Sequence, residues 1–274
     1  MKQQHDLFET SPSTDLAHSP SRDSILQMAS LIHRAFYTGA FGGTVHEVFP
    51  NIEKTSLAWR TYFTLPCAVN YQRQSESLWR AALRTYSDPE TNFVFNCNNV
   101  TEGEKAYRAA LTKYSLAAQP DKQTRIWFTI SSTLAERFGG DPDVFAAHFD
   151  YDVVRIKDYV INNKSAFPYI SGPKLLNYWL YIYSFFDCGK LVNRREISII
   201  PDIHVKRASA ALGLVDAKQS EDAQTVAEAW DKLLIGTCFA PSDLHAPLWR
   251  WSRAGLPSSR QLEERITLAS SKVA

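Results

Sequence analysis

From residue 24 onward the apolar residues recur at the spacing of one helix face, and no run alternates as the strand of a half-buried sheet would. In SILQMASLIHRAF (24–36), Ile25, Met28, Leu31, Ile32 and Phe36 fall on a single stripe. SLAWRTYF and SESLWRAALRTY (75–86) repeat the pattern, and Ser87-Asp88-Pro89 ends it, because the residue before proline is driven out of the helical region. Further helices are expected at 103–116, 126–138 (stopped by Gly139-Gly140), 141–149, 152–163, 173–186, about 203–212, 221–235 and 242–254, the last capped by Ser242. The Asn-rich stretch 89–101 reads as a loop and AAQPDKQT (117–124) as a linker. The expected fold class is all-α.

Composition sets limits on function. The chain has 274 residues, 45% of them apolar, enough for one large domain or two small ones. Its formal net charge is +1, so any polyanion-binding surface must be local. Cys67, Cys97, Cys188 and Cys238 are too scattered for a zinc site or a four-cysteine iron–sulfur cluster, and are expected as buried thiols in a reducing compartment. No secretion signal is evident, and the longest apolar run (175–186) is too short to span a bilayer. A cytoplasmic protein with no membrane partner is expected. Residues 1–22 are polar and rich in Ser and Pro, and are expected to form a disordered tail. His148, Asp150 and Asp152 (HFDYD) could mimic a metal site, but Asp152 as a helix cap explains the run more cheaply, and no metal is expected.

The chemistry-bearing stretch is FPYISGPK (167–174), which leads straight into the apolar helix LLNYWLYIYSFF. Gly172 stands where that helix begins, and Pro173 takes its first position, where a missing N–H costs nothing. The turn should expose backbone N–H groups at the start of the second helix to a phosphate. Lys174 falls in the first turn, near the positive end of the helix dipole, which favours its neutral, nucleophilic form. Taken alone it is a surface lysine with a snorkelling stem. The second stretch is IIPDIHVKRASAALGL (199–214), where Pro201 fixes the approach and Asp202 stands at the helix N-cap, ionised. Taken alone, Asp202 is only a cap and His204 a satisfied structural residue.

Together, Gly172, Pro173, Lys174, Asp202, His204, Val205, Arg207 and Leu212-Gly213-Leu214 resemble the helix-hairpin-helix (HhH-GPD) DNA glycosylase superfamily, over roughly 125–215. Ile170 replaces that family's usual hairpin glycine, and Lys174 and Asp202 stand 28 positions apart, wider than its usual spacing. Without four clustered cysteines the iron–sulfur branch is excluded, which leaves the cluster-free 8-oxoguanine-glycosylase-like branch.

The resemblance implies two helical subdomains with a DNA-binding cleft between them. One comprises 23–115 completed by 221–274, and the other, 116–220, holds the helix-hairpin-helix motif. It implies Lys174 as nucleophile and Asp202 as essential carboxylate of a DNA N-glycosylase and AP lyase. Its partner would be double-stranded DNA carrying a modified base, which is flipped out into a pocket. It implies DNA contacts from Ser171, Gly172, His204, Lys206 and Arg207, and a wedge among Asn70, Tyr71 and Gln72, with the 96–99 loop as rival. Lys190, Arg194 and Arg195 are further candidates for backbone contact. Tyr178, one turn after Lys174, together with His245 and Trp249, would line the base pocket. A tyrosine at 178 argues against an 8-oxoguanine-type pocket and toward a non-standard base. No cofactor is implied beyond a monovalent cation that the hairpin could hold, and the protein should act as a monomer. The substrate is then a bulky modified base of phage DNA, in defence, or an oxidised purine, in repair. A non-catalytic DNA binder of the same fold is the alternative.

Overall fold

Side-chain oxygens open most of the helices. Ser21 caps α1 (Arg22–Tyr37), Ser56 caps α2 (Leu57–Tyr62), Asp141 caps α6 (Pro142–His148) and Asp152 caps α7 (Val153–Asn162). Asp202 caps α9 (Ile203–Ala211), Asp222 caps α10 (Ala223–Leu233) and Ser258 caps α12 (Ser259–Ser270). Each accepts an amide proton that the first helical turn cannot satisfy itself. The remaining helices are α3 (Ser75–Ser87), α4 (Gly103–Lys113), α5 (Pro120–Phe138), α8 (Pro173–Phe186) and α11 (His245–Arg253). The computed structural model describes residues 20–42, 47–186 and 190–271, and among them no strand forms, so the fold is all-α. Among these residues no helix is long and apolar enough to cross a membrane. The tail expected at 1–22 lies outside the described residues up to 19; Arg22 already belongs to α1 and donates to the Leu233 and Ile235 carbonyls at 2.9 and 2.8 Å.

Several local expectations are corrected. The linker expected at 117–124 is helical from Pro120, because proline at the first position is preset for the helix and the Gln123 Oε1 accepts from the Gln119 amide at 3.1 Å. The loop at 89–101 is wound into two 3₁₀ turns, Asn92–Phe95 and Cys97–Glu102, which bury Val94, Phe95 and Cys97. Ser242 does not cap α11; it is buried in a 3₁₀ turn (Pro241–Leu244), where Asp243 instead accepts from the Ala240 amide. Helix α12 was not expected, although its Ser258-to-Gln261 capping box is written in the sequence. Cys67 and Cys97 are buried as expected, but Cys238 is exposed, and Cys188 lies outside the described residues. Asp150 is paired with Arg155, and the described residues contain no group suited to a metal.

The described residues bury two hydrophobic clusters. The larger gathers α2 to α8 around Trp79, Trp127, Phe145 and Trp179. The smaller packs α1 against α9 to α12 through Ile32, Val205, Trp230, Leu248 and Leu262. Tyr107 and Leu111, on the N-terminal side of the boundary expected at 115/116, share the larger cluster with Ile126 and Trp127 beyond it. Helix α8 is buried almost all round, which marks a core helix; Pro173 and Lys174 at its start are exposed. The starts of α8 and α9 both line one cavity, whose other walls come from α3 and α11.

Candidate functional site

A cleft of about 640 Å³ opens between those helix starts. Lys174 and Tyr178 reach it from α8, Asp202, His204 and Lys206 from the start of α9, and His245 and Trp249 from α11. Asn70 and Gln72 line it from the turn before α3. These nine residues, all singled out from the sequence, share one cavity; Ser171, Gly172, Arg207, Tyr71, Lys190, Arg194 and Arg195, also singled out, do not line it.

The connection from α7 to α8 is a chain of tight turns. The Ser171 amide donates to the Phe167 carbonyl at 3.1 Å and the Gly172 amide to the Tyr169 carbonyl at 2.9 Å. Both of these amides are thus spent inside the turn. The amides of Lys174 and Leu175 take no backbone partner among the described residues, and these are the donors the helix start leaves open. A Cβ at 172 would stand 3.2 Å from the Tyr169 carbonyl oxygen, a tight contact that glycine avoids.

Asp202 performs its capping with one oxygen. Its Oδ1 accepts from the His204 and Val205 amides, both at 2.9 Å, and among the described residues Oδ2 accepts nothing. The cap fixes the carboxylate at the cleft wall and leaves an oxygen to act on a ligand. The Trp249 ring meets His204 edge-on at 5.3 Å and carries the Arg253 guanidinium at 4.8 Å on its ring. His204 Nδ1 lies 3.4 Å from the Ser252 hydroxyl.

Tyr178 lines the cleft, yet its hydroxyl faces the core. It accepts from the Trp79 indole at 2.9 Å and meets the Ser75 hydroxyl at 3.1 Å, and burial pushes its pKa well up. Asn70 joins this chain by donating to Ser75 at 3.3 Å. Of the wedge candidates, Tyr71 is occupied by stacking on Tyr169, with ring centroids 4.7 Å apart. Gln72 is exposed and holds a left-handed backbone (φ 53°), with its carbonyl oxygen accepting from Gln119 at 3.0 Å. The rival 96–99 loop does not line the cleft: Asn98 and Asn99 donate to the Gly139 and Phe93 carbonyls.

The cations expected further out are engaged by the protein itself. Lys190 pairs with Asp143, Arg194 with Asp243, and Arg195 donates to the Leu234 carbonyl. The Lys206 ammonium donates to the Glu221 carbonyl at 2.5 Å.

Sequence reasoning missed Arg73, Glu76, Ile203 and Arg253, all of which line the cleft. Arg253 and Glu76 stand 3.7 Å apart and bridge its walls from α11 to α3. Ile203 is 77% exposed at the lip beside Asp202. Only the folded chain brings Arg253 near Glu76, 177 positions away in sequence, so no local signal marked that pair. Lys174, Lys206, Arg73 and Arg253 against Asp202 and Glu76 leave the cleft with a formal surplus of two positive charges, on a chain whose total is +1. No protein-family model matches the chain, and no curated protein matches it.

Proposed function

We propose that this protein is a DNA glycosylase with AP-lyase activity, of the helix-hairpin-helix type. One observation carries the reading: an exposed lysine at the start of α8 and an N-cap aspartate at the start of α9 line one cleft. In this reading, helices α7 and α8 are the hairpin, and the cleft between two helical subdomains receives double-stranded DNA. The surplus positive charge of the cleft suits phosphates, and its apolar wall of Leu175, Ile200 and Trp249 suits an extruded nucleotide.

Cleavage of the N-glycosidic bond builds positive charge on the sugar, which the Asp202 carboxylate stabilises. The Lys174 amine, unprotonated, forms a bond to C1′ as the bond from C1′ to the base breaks. The electron pair leaves with the base, which takes up a proton, and the amine loses one. Opening of the sugar ring gives a Schiff base, and β-elimination then expels the 3′ phosphate and nicks the strand. The protein acts as a monomer, in the cytoplasm, and needs no redox cofactor for this chemistry; a monovalent cation at the hairpin is compatible with it.

The substrate is a bulky modified base of phage DNA or an oxidised purine. Incubating the protein with DNAs of known modification and identifying the released base by mass spectrometry tests the reading. Release of one modified base, lost in Asp202→Asn, is the expected result. Binding to every DNA with no base released from any would leave a non-catalytic DNA-binding protein.

A further inference from the structure

The covalent chain does little to fix the separation of Lys174 and Asp202. Sixteen positions separate the end of α8 at Phe186 from Asp202, with a single short 3₁₀ turn (Arg194–Glu196) between them among the described residues. A longer connection constrains its ends only weakly. Something else must set the geometry across the cleft.

Asn177 is placed to do so. It lies one turn after Lys174 on α8, half-buried, with three of its four hydrogen-bonding positions in use. Its Nδ2 donates to the Pro173 carbonyl at 2.8 Å, the peptide unit that joins Pro173 to Lys174. Its Oδ1 accepts from the Ser198 amide at 3.2 Å and from the Lys157 ammonium of α7 at 3.3 Å. Ser198 begins the short segment that ends at Asp202, flanked by Ile197 and Ile199, which are fully buried. Lys157 is held in turn by the Glu196 carbonyl at 2.7 Å. One amide side chain therefore grips the start of the lysine helix, the preceding helix and the approach to the aspartate. The bonds to Ser198 and Lys157 are part-buried and so are partly shielded from competition by water.

We propose that Asn177 is a positioning residue: by holding the Pro173 carbonyl and the Ser198 amide together, it sets the distance between the Lys174 amine and the Asp202 carboxylate. The inference rests on the function proposed above. It requires that loss of the bridge slow the covalent step without weakening DNA binding, and that the loss depend on the Asp202 charge.

The test is single-turnover borohydride trapping on an abasic-site duplex, for wild type, Asn177→Ala, Asp202→Asn and the double variant, with the duplex Kd and a thermal melt for each. Asn177→Ala should slow trapping at least about tenfold, as displacement of a reacting group by a fraction of an ångström does, with Kd and circular dichroism unchanged. In the Asp202→Asn background the same substitution should cost less than about twofold, since coupled residues are non-additive. Asn177→Ser can still bond the Pro173 carbonyl locally but cannot reach Ser198. It should match Asn177→Ala, and it carries the test if the alanine variant does not fold. Trapping at the wild-type rate in a folded variant, or an equal loss in both backgrounds, would overturn the positioning role. A wild-type protein that forms no adduct would overturn the proposed function and this inference with it.

Discussion

The Trp79 indole donates a hydrogen bond to the Tyr178 hydroxyl at 2.9 Å, and both side chains are buried. This pairing turns toward the core a hydroxyl that spacing alone would aim at a bound base. Tyr178→Phe leaves the indole N–H buried without its acceptor, at a cost of about 1–3 kcal/mol. Urea denaturation should show a lower midpoint with an unchanged slope. An unchanged midpoint would mean that the indole finds another partner.

Asp202 combines two duties that substitution can separate. Asparagine caps a helix about as well as aspartate, so Asp202→Asn should stay within about 0.5 kcal/mol of wild type, whereas Asp202→Ala should lose about 1 kcal/mol. Both remove the negative charge that the proposed mechanism places at the sugar, and on that mechanism should slow base release at least about 100-fold. Thermal melts and single-turnover kinetics on the same preparations separate cap from chemistry. Full activity in Asp202→Asn would reduce the residue to a cap.

Part of the acid sensitivity should come from the caps of α7 and α10. The Asn193 side chain holds Asp152 below the usual carboxylate range, and the Thr225 hydroxyl and amide hold Asp222 there. For a carboxylate whose folded pKa is depressed, the stability it adds is fully present above the unfolded value of about 4. That stability is lost as the pH falls through the lower folded values. Melting temperatures should decline gently below about pH 6.5, where burial holds the His33 pKa down and the unfolded chain takes up its proton first, and fall more steeply below about pH 4. Asp222→Ala should lower the neutral plateau and flatten the acid limb. An acid limb of unchanged steepness would contradict it.

The thiols should divide by burial. Burial pushes the Cys97 thiol up to about 12 and Cys67 well above its ordinary value, so neither supplies thiolate near neutral pH. Mass-spectrometric mapping after brief iodoacetamide treatment should find Cys238 labelled, and Cys67 and Cys97 labelled only in denaturant. Labelling of Cys97 in the folded protein would mean that its part of the core opens readily.

What the sequence revealed was local. Gly172-Pro173 and Asp202 mark helix starts through backbone rules that act within a few residues, and both starts lie as expected. The gathering of Lys174, Asp202, His204, Trp249 and Asn70 about one cleft was legible only through the resemblance, because composition places nothing in space. The misses were mostly tertiary. A partner of Tyr178 lies 99 positions away in Trp79, and Arg253 comes within 3.7 Å of Glu76 only in the folded chain. Which amides the α7–α8 turn uses up, those of Ser171 and Gly172, and which it leaves open, those of Lys174 and Leu175, depends on the turn's own backbone path. Helix α12 is a different kind of miss, since its capping box was there to be read.

The most direct test is covalent trapping. Wild-type protein, mixed with duplex DNA containing an abasic site and treated with sodium borohydride, should give a protein–DNA adduct whose tryptic peptide carries the modification on Lys174. Lys174→Ala should give none while folding normally, since substitution at an exposed site changes stability by only about 0.5 kcal/mol. An adduct of undiminished yield in Lys174→Ala, or its mapping to a lysine outside the cleft, would contradict the assignment of the nucleophile.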